Sequence, residues 1–193
     1  MTRPDLVVVG TSLGGLNAMS ALLASLPAGL PVPIAAVQHR AVDDDGRRLA
    51  TLLQERGRLR VVDAEDKMPL EHATVYLAPA DYHLLVEARG LVALSTDPPV
   101  RSARPSIDVL FETAADAYGR ALIAVLLTGA SADGADGVVA VKARGGRVLV
   151  EDPATAECGT MPAAAVAAAA VDYILPLSRM GEYLVALVEG TRT

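Results

Sequence analysis

Three stretches of this chain are apolar throughout: LVVVG closing at Gly10, PIAAV opening at Pro33 and LIAVLL opening at Leu122. A strand with one wet face alternates apolar and polar residues, so unbroken runs mark parallel strands buried on both faces. Strands are expected at about 5–9, 33–37, 60–63, 121–127, 147–151 and 172–175. Helical periodicity falls between them, at about 15–26, 44–56, 106–118, 135–144, 162–170 and 178–189. Ser106 and Ser178 stand where helix caps belong. Residues 73–95 read differently, as short antiparallel strands with turns near Pro79-Ala80-Asp81 and Arg89-Gly90. The order predicts an α/β fold: a doubly wound, mostly parallel sheet with helices on both faces and an antiparallel hairpin addition. With no repeat, low-complexity segment or linker, residues 1–193 read as one domain.

Composition excludes several function classes. Hydrophobic residues make up 52% of the 193 residues and charged ones 21%, which argues against disorder. Aromatics are 3% with no Trp, so Ala, Val and Leu have to build the core. A net charge of −6 without a basic stripe speaks against nucleic acid as a partner. Cys158, the single cysteine, cannot close an intramolecular disulfide; it reads as an ordinary thiol in a reducing compartment, with a nucleophile as the alternative. The start MTRPDLVVVG lacks the long apolar stretch of a signal peptide, and MPAAAVAAAAV (161–171) is too short and Ala-rich to span a bilayer. A soluble, cytoplasmic protein without membrane insertion is expected.

Ligands and chemistry in open α/β sheets gather beyond the carboxyl ends of the strands. The first strand ends in Gly10-Thr11-Ser12-Leu13-Gly14, which fits the G-x-S-x-G spacing that presents a Ser on a sharp strand-to-helix turn. The second ends in Gln38-His39, and the strand LIAVLL runs into the turn SADGADG, which carries Asp133. A serine, a histidine and an aspartate at strand ends are the parts of a nucleophile, a general base and a carboxylate that orients it. Each also has a plainer reading: Ser12 as a helix cap, His39 as a satisfied residue at a sheet edge, Asp133 as a turn former. Asp136, three residues on, reads as a carboxylate in the first turn of the next helix.

A dinucleotide site fits less well. Gly10, Ser12 and Gly15 fall where its three glycines belong, but Gln38-His39-Arg40 stands where an acidic residue should hold the ribose. Asp43, Asp44 and Asp45 come later, in what reads as a solvated helix start. No Gly-Lys-Ser/Thr occurs, and the order Ser–His–Asp is not that of α/β-hydrolases.

In chain order, the motifs VVGTSLGG, VQH, VYLAP, RPSIDVLF, LLTGASADGADG and DPATAECGTMP resemble the catalytic domain of CheB-type chemotaxis methylesterases, over roughly residues 5–177. The resemblance implies Ser12 as nucleophile, His39 as base and Asp133 as its partner. Backbone N–H groups near Leu13 and Ala130 would form the oxyanion hole. Met161 aligns with a methionine that lines the family's site, a core position being the alternative. The implied activity is hydrolysis of glutamate methyl esters on a methylated chemoreceptor or similar helical signalling protein, releasing methanol. Some members also deamidate glutamines, and neither metal nor organic cofactor is implied.

Departures from the family pattern are Leu13 for Thr, Arg40 for Met and Ala130 for Met, and Arg40 and Ala130 alter the expected pocket wall. The family's usual N-terminal receiver domain has no counterpart ahead of residue 5, so regulation by phosphorylation within the chain is not expected. His72 and His83 read as surface or hairpin residues rather than metal ligands. Arg101 and Arg104 read either as facing an acidic receptor helix or as solvated. Two other classes remain open at this point: a catalytically silent CheB-like interaction module, and, more distantly, a nucleotide-binding domain.

Overall fold

In the computed structural model, which describes residues 3–40 and 47–191, the first strand runs through the middle of the protein. β1 (Leu6–Thr11) is buried along its whole length. The chain continues through α1 (Gly15–Ser25), β2 (Ile34–Gln38), α2 (Arg47–Arg56), β3 (Arg60–Asp63) and β4 (Thr74–Leu77). It then forms β5 (His83–Ala88) and β6 (Leu91–Ser95) and returns through α3 (Ile107–Tyr118) and β7 (Leu122–Leu126). The last elements are α4 (Ala135–Ala143), β8 (Arg147–Glu151), α5 (Thr160–Ala168), β9 (Tyr173–Leu175) and α6 (Leu177–Glu189).

Seven strands form one sheet in the order β3-β4-β2-β1-β7-β8-β9, and every ladder in it is parallel. Alternate residues of β1 feed different cores. Leu6 and Val8 pack with Leu110 and Phe111 of α3 and Val138 of α4. Val7 and Val9 pack on the other face with Leu22 and Leu23 of α1 and Leu184 of α6. Each fully buried Leu or Phe contributes about 1.5–3 kcal/mol, so both faces have to be covered. Because α1 and α4 leave toward opposite faces, the carboxyl ends of β1 and β7 mark the switch point of the sheet.

The antiparallel addition is smaller than the sequence suggests. β4 is not part of it: Thr74–Leu77 is buried at all four residues and inserts between β2 and β3, parallel to both. The turn at Pro79–Asp81 therefore ends a sheet strand instead of closing a hairpin. Among the described strands, β5 and β6 alone pair antiparallel, with a register shift between Val86 and Ala88. This hairpin lies on α3, where Val86 N–H donates to Thr113 Oγ1 at 3.1 Å.

Two expected caps also differ. Ser106 has the extended backbone of an N-cap, but its hydroxyl makes no bond to its own helix. Ser178 lies one residue inside α6, which starts at Leu177 after Pro176. The helix expected from 44 is described from Arg47, and Asp43, Asp44 and Asp45 lie outside the described residues. Among the described residues, no helix is long and apolar enough to cross a membrane.

Candidate active site

Ser12, His39 and Asp133 follow three adjacent strands, β1, β2 and β7, and the fold brings them together. His39 Nδ1 lies 3.1 Å from Ser12 Oγ, and His39 Nε2 lies 2.7 Å from Asp133 Oδ2. A carboxylate can only accept, so the Nε2 position carries the ring proton and Nδ1 offers its lone pair to the Ser12 hydroxyl. Asp136 is elsewhere: exposed in the first turn of α4, its carboxylate accepts a bond from Arg101.

Asp133 is completely buried and four donors hold it. Its Oδ2 accepts Ile107 N–H at 2.8 Å besides the His39 bond. Its Oδ1 accepts the Ser106 hydroxyl at 2.8 Å and Asp108 N–H at 3.0 Å. The carboxylate thus caps α3, from which Ser106 reaches outward. Burial pushes the Asp133 carboxyl up, but the His39 bond and the donors of Ile107, Asp108 and Ser106 together outweigh it, so the group is held below its ordinary range.

The serine side is built on glycine. Gly14, at φ +79°, turns the chain from β1 into α1, and Glu157 lies against it: a Cβ there would come within 2.7 Å of the Glu157 carboxyl carbon. Ser12 N–H is spent on Thr128 O (3.0 Å) and Gly129 N–H on Cys158 O (3.0 Å). The amides of Leu13 and Ala130, by contrast, donate to no acceptor among the described residues. Both residues are exposed, Leu13 at 58%. An open crevice of about 440 Å³ runs from Ser12 to Asn17 and is closed on its far side by Gln38 and His39.

Met161 is buried behind this turn, with its N–H donating to Gly129 O at 2.8 Å. A Cβ on Gly129 would meet Met161 Cε at 2.5 Å and Ser12 Cβ at 3.0 Å. Met161 is therefore a core residue that backs the Ser12 turn without lining the crevice.

Several supporting residues carried no chemical signal in the sequence. Thr128 ties three loops together: its hydroxyl donates to Leu13 O at 2.9 Å and accepts Cys158 N–H at 2.8 Å, while its N–H donates to Glu151 Oε2 at 2.8 Å. Burial pushes the Glu151 carboxyl up. Gln38 Nε2 donates to Ser12 O at 2.8 Å and His39 O at 3.1 Å, which fixes the end of β2 against the Ser12 turn. The Cys158 thiol faces Thr160 Oγ1 at 3.8 Å, outside the Ser12–His39–Asp133 chain.

His72 and His83 lie where the sequence places them, one on the surface and one in the hairpin. His72 is exposed, but His83, the first residue of the hairpin, is buried. Its Nδ1 accepts Ser106 N–H and its Nε2 donates to Pro98 O, both at 3.2 Å, so it anchors the residue that holds Asp133. Arg101 and Arg104 are both paired within this chain, Arg101 at the exposed surface and Arg104 half-buried. Arg101 pairs with Asp108 and Asp136. Arg104 pairs with Asp81 and bonds Thr96 O and Asp97 O, closing the 96–105 loop. Arg40 borders with His39 a second cavity, of about 200 Å³, while its guanidinium turns toward Asp63 at 3.6 Å.

Comparison with known proteins agrees with this architecture. The family model described as CheB methylesterase matches residues 7–184. A Leptospira interrogans protein, provisionally named protein-glutamate methylesterase/protein-glutamine glutaminase, is 42% identical over 95% of this chain and 94% of its own length. Protein-glutamate methylesterase FrzG of Myxococcus xanthus is 39% identical over 95% of this chain, which spans 55% of that longer protein. The crystal structure of the Thermotoga maritima CheB methylesterase catalytic domain superposes with a TM-score of 0.91 at 35% identity, covering 97% of this chain and 100% of that one. Sequence, fold and the order of the motifs converge, and the chain belongs to the CheB methylesterase family.

Proposed function

We propose that the protein is a cytoplasmic serine esterase that hydrolyses glutamate methyl esters on a chemoreceptor-like helical signalling protein. The observation that carries this reading is the continuous chain from Ser12 Oγ through His39 to Asp133, at 3.1 and 2.7 Å. Ser12 Oγ attacks the ester carbonyl as His39 Nδ1 takes the hydroxyl proton. Asp133 holds the ring and stabilises the imidazolium through Nε2–H. The carbonyl oxygen gains charge and meets the unspent amides of Leu13 and Ala130. His39 then returns the proton to the leaving methoxide, so methanol departs and an acyl-Ser12 remains. A water activated by the same His39 nitrogen releases the glutamate carboxylate. A glutamine side chain would follow the same course, with ammonia leaving.

The open crevice suits a side chain presented on a bulky helix, which could not enter a closed pocket. The names of the relatives support the methylesterase and glutaminase chemistry. The test is to incubate the wild type and Ser12→Ala with a methyl-esterified helical receptor fragment, following methanol release and fragment mass. The wild type should convert ester to carboxylate, and an activated ester should label Ser12. A folded wild type that neither turns over nor labels would leave the protein as a binding module.

A further inference from the structure

Beside the Ser12–His39–Asp133 chain lies a second buried carboxylate that the chain does not use. Asp108, in the first turn of α3, is almost wholly buried. Its Oδ1 accepts the N–H groups of Gly134 and Gly137, both at 2.8 Å, and so caps the start of α4. Its own N–H donates to Asp133 Oδ1. The two helices therefore exchange caps: Asp133, just before α4, caps α3, while Asp108, inside α3, caps α4. Gly137 lets them approach this closely, since a Cβ there would lie 2.6 Å from Phe111 Cβ and 3.2 Å from Asp108 Cα. Two like charges buried side by side are costly, and a single cation compensates from outside. Arg101 Nε donates to Asp108 Oδ2 at 3.0 Å while its Nη2 reaches Asp136.

Resting on the triad reading, we propose that Asp108 is a positioning residue for the reaction: its carboxylate, partly neutralised by Arg101, fixes Asp133 against His39 and sets how strongly His39 holds a proton. The charged groups around Asp108 are Arg101 from the loop before α3, Asp133 from the turn after β7, Asp136 on α4 and Glu112 one turn along α3. His39 stands directly beyond Asp133. Burial pushes the Asp108 carboxyl up to about 6, so its charge is gained over the interval in which a histidine base becomes active.

The test sets two substitutions of opposite sign against each other. Asp108→Asn keeps an oxygen for the Gly134 and Gly137 amides but removes the negative charge. His39 should then titrate about half a pH unit lower, seen both in its ring NMR signals and in the acid limb of kcat/KM. The kcat should fall about 5–50-fold with KM within about threefold. Arg101→Gln removes the compensating cation and should move the same titration upward by a similar amount, and the double variant should return toward wild type. A purely structural cap would move both single variants in one direction or leave the titration where it is, and either result overturns the proposal. If Asp108→Asn does not fold, Arg101→Gln decides by the same criterion. The NMR titration needs no turnover, so a protein without esterase activity sinks the triad reading while Asp108's hold on His39 is still measured separately.

Discussion

The two halves of the site are built on opposite plans. Around Asp133 nothing is exposed and every lone pair is engaged, by a histidine, a hydroxyl and two helix amides. Around Ser12 the wall is thin and wet: Leu13 is 58% exposed, and the Leu13 and Ala130 amides have no acceptor among the described residues. On the proposed mechanism the difference follows from what each half has to do. A carboxylate that orients a base must stay ionised in a dry site, which takes several converging donors. Groups that receive a substrate oxygen must be left unsatisfied until it arrives, and exposure to water makes that tolerable. Rigidity is concentrated where no substrate goes.

Substitutions can break each half in a characteristic way. Ser12→Ala should have the largest effect, lowering esterase turnover by about 10⁴–10⁶ with little change in melting temperature, because the turn depends on Gly14 rather than on the hydroxyl. Methanol release and a thermal melt measure the two quantities. Asp133→Asn should cost roughly 10²–10⁴ in kcat. Unlike Ser12→Ala it should also destabilise the fold, by about 2–4 kcal/mol, since an amide NH₂ would face donors where a carboxylate accepted them. A denaturant melt showing no loss would mean that the dry half is less dependent on its charge than its geometry implies.

Gly129→Ala tests the junction of the halves. The new methyl group displaces Met161 and presses on Ser12 Cβ, so turnover should fall about 10–100-fold, with the larger part of the loss relieved by Met161→Ala in the same chain. A pH series then isolates Asp108. Its folded value near 6 lies above the unfolded value near 4, so the native state binds the extra proton between them. Stability contributed by this group is present below about pH 4 and lost as pH rises through about 6. Unfolding free energies should therefore show the wild type losing about 2 kcal/mol relative to Asp108→Asn across that interval. A parallel pair of curves would refute the assignment. The smallest effect is expected from Asp136→Asn, under about tenfold in kcat, because its carboxylate is exposed and touches the site only through Arg101.

The layered sheet is legible because its strands lack alternation, and the meeting of Ser12, His39 and Asp133 because each follows such a strand. β4 escaped that logic: TVYL is too short for its buried run to stand out, and the proline-containing turn after it resembled a hairpin. The scaffolding of the site was harder to read. Ser106 and Asp108 sit where any helix start prefers them, so position alone explains them locally. Their partners lie at least 25 residues away, at Asp133 and Gly134. His83 is legible as a hairpin residue, but its burial and anchoring role are not, because its donor Ser106 and its acceptor Pro98 become neighbours only once the 96–105 loop has folded. Local pattern reveals which residues end strands; it does not reveal which helix a distant carboxylate will cap.

The exchange of caps between α3 and α4 has a consequence for how the site comes apart. The amides of Ile107 and Asp108 bond Asp133, and those of Gly134 and Gly137 bond Asp108. Neither helix can fray at its start without releasing the carboxylate that closes the other, so the four amides belong to a single opening event. Their protons should exchange with solvent deuterium at a common, slow rate, set by the cost of parting the two helices rather than by unwinding either one. On the proposed mechanism, a substrate arriving at the open lip beside Leu13 meets a base whose orientation does not breathe with the loops around it.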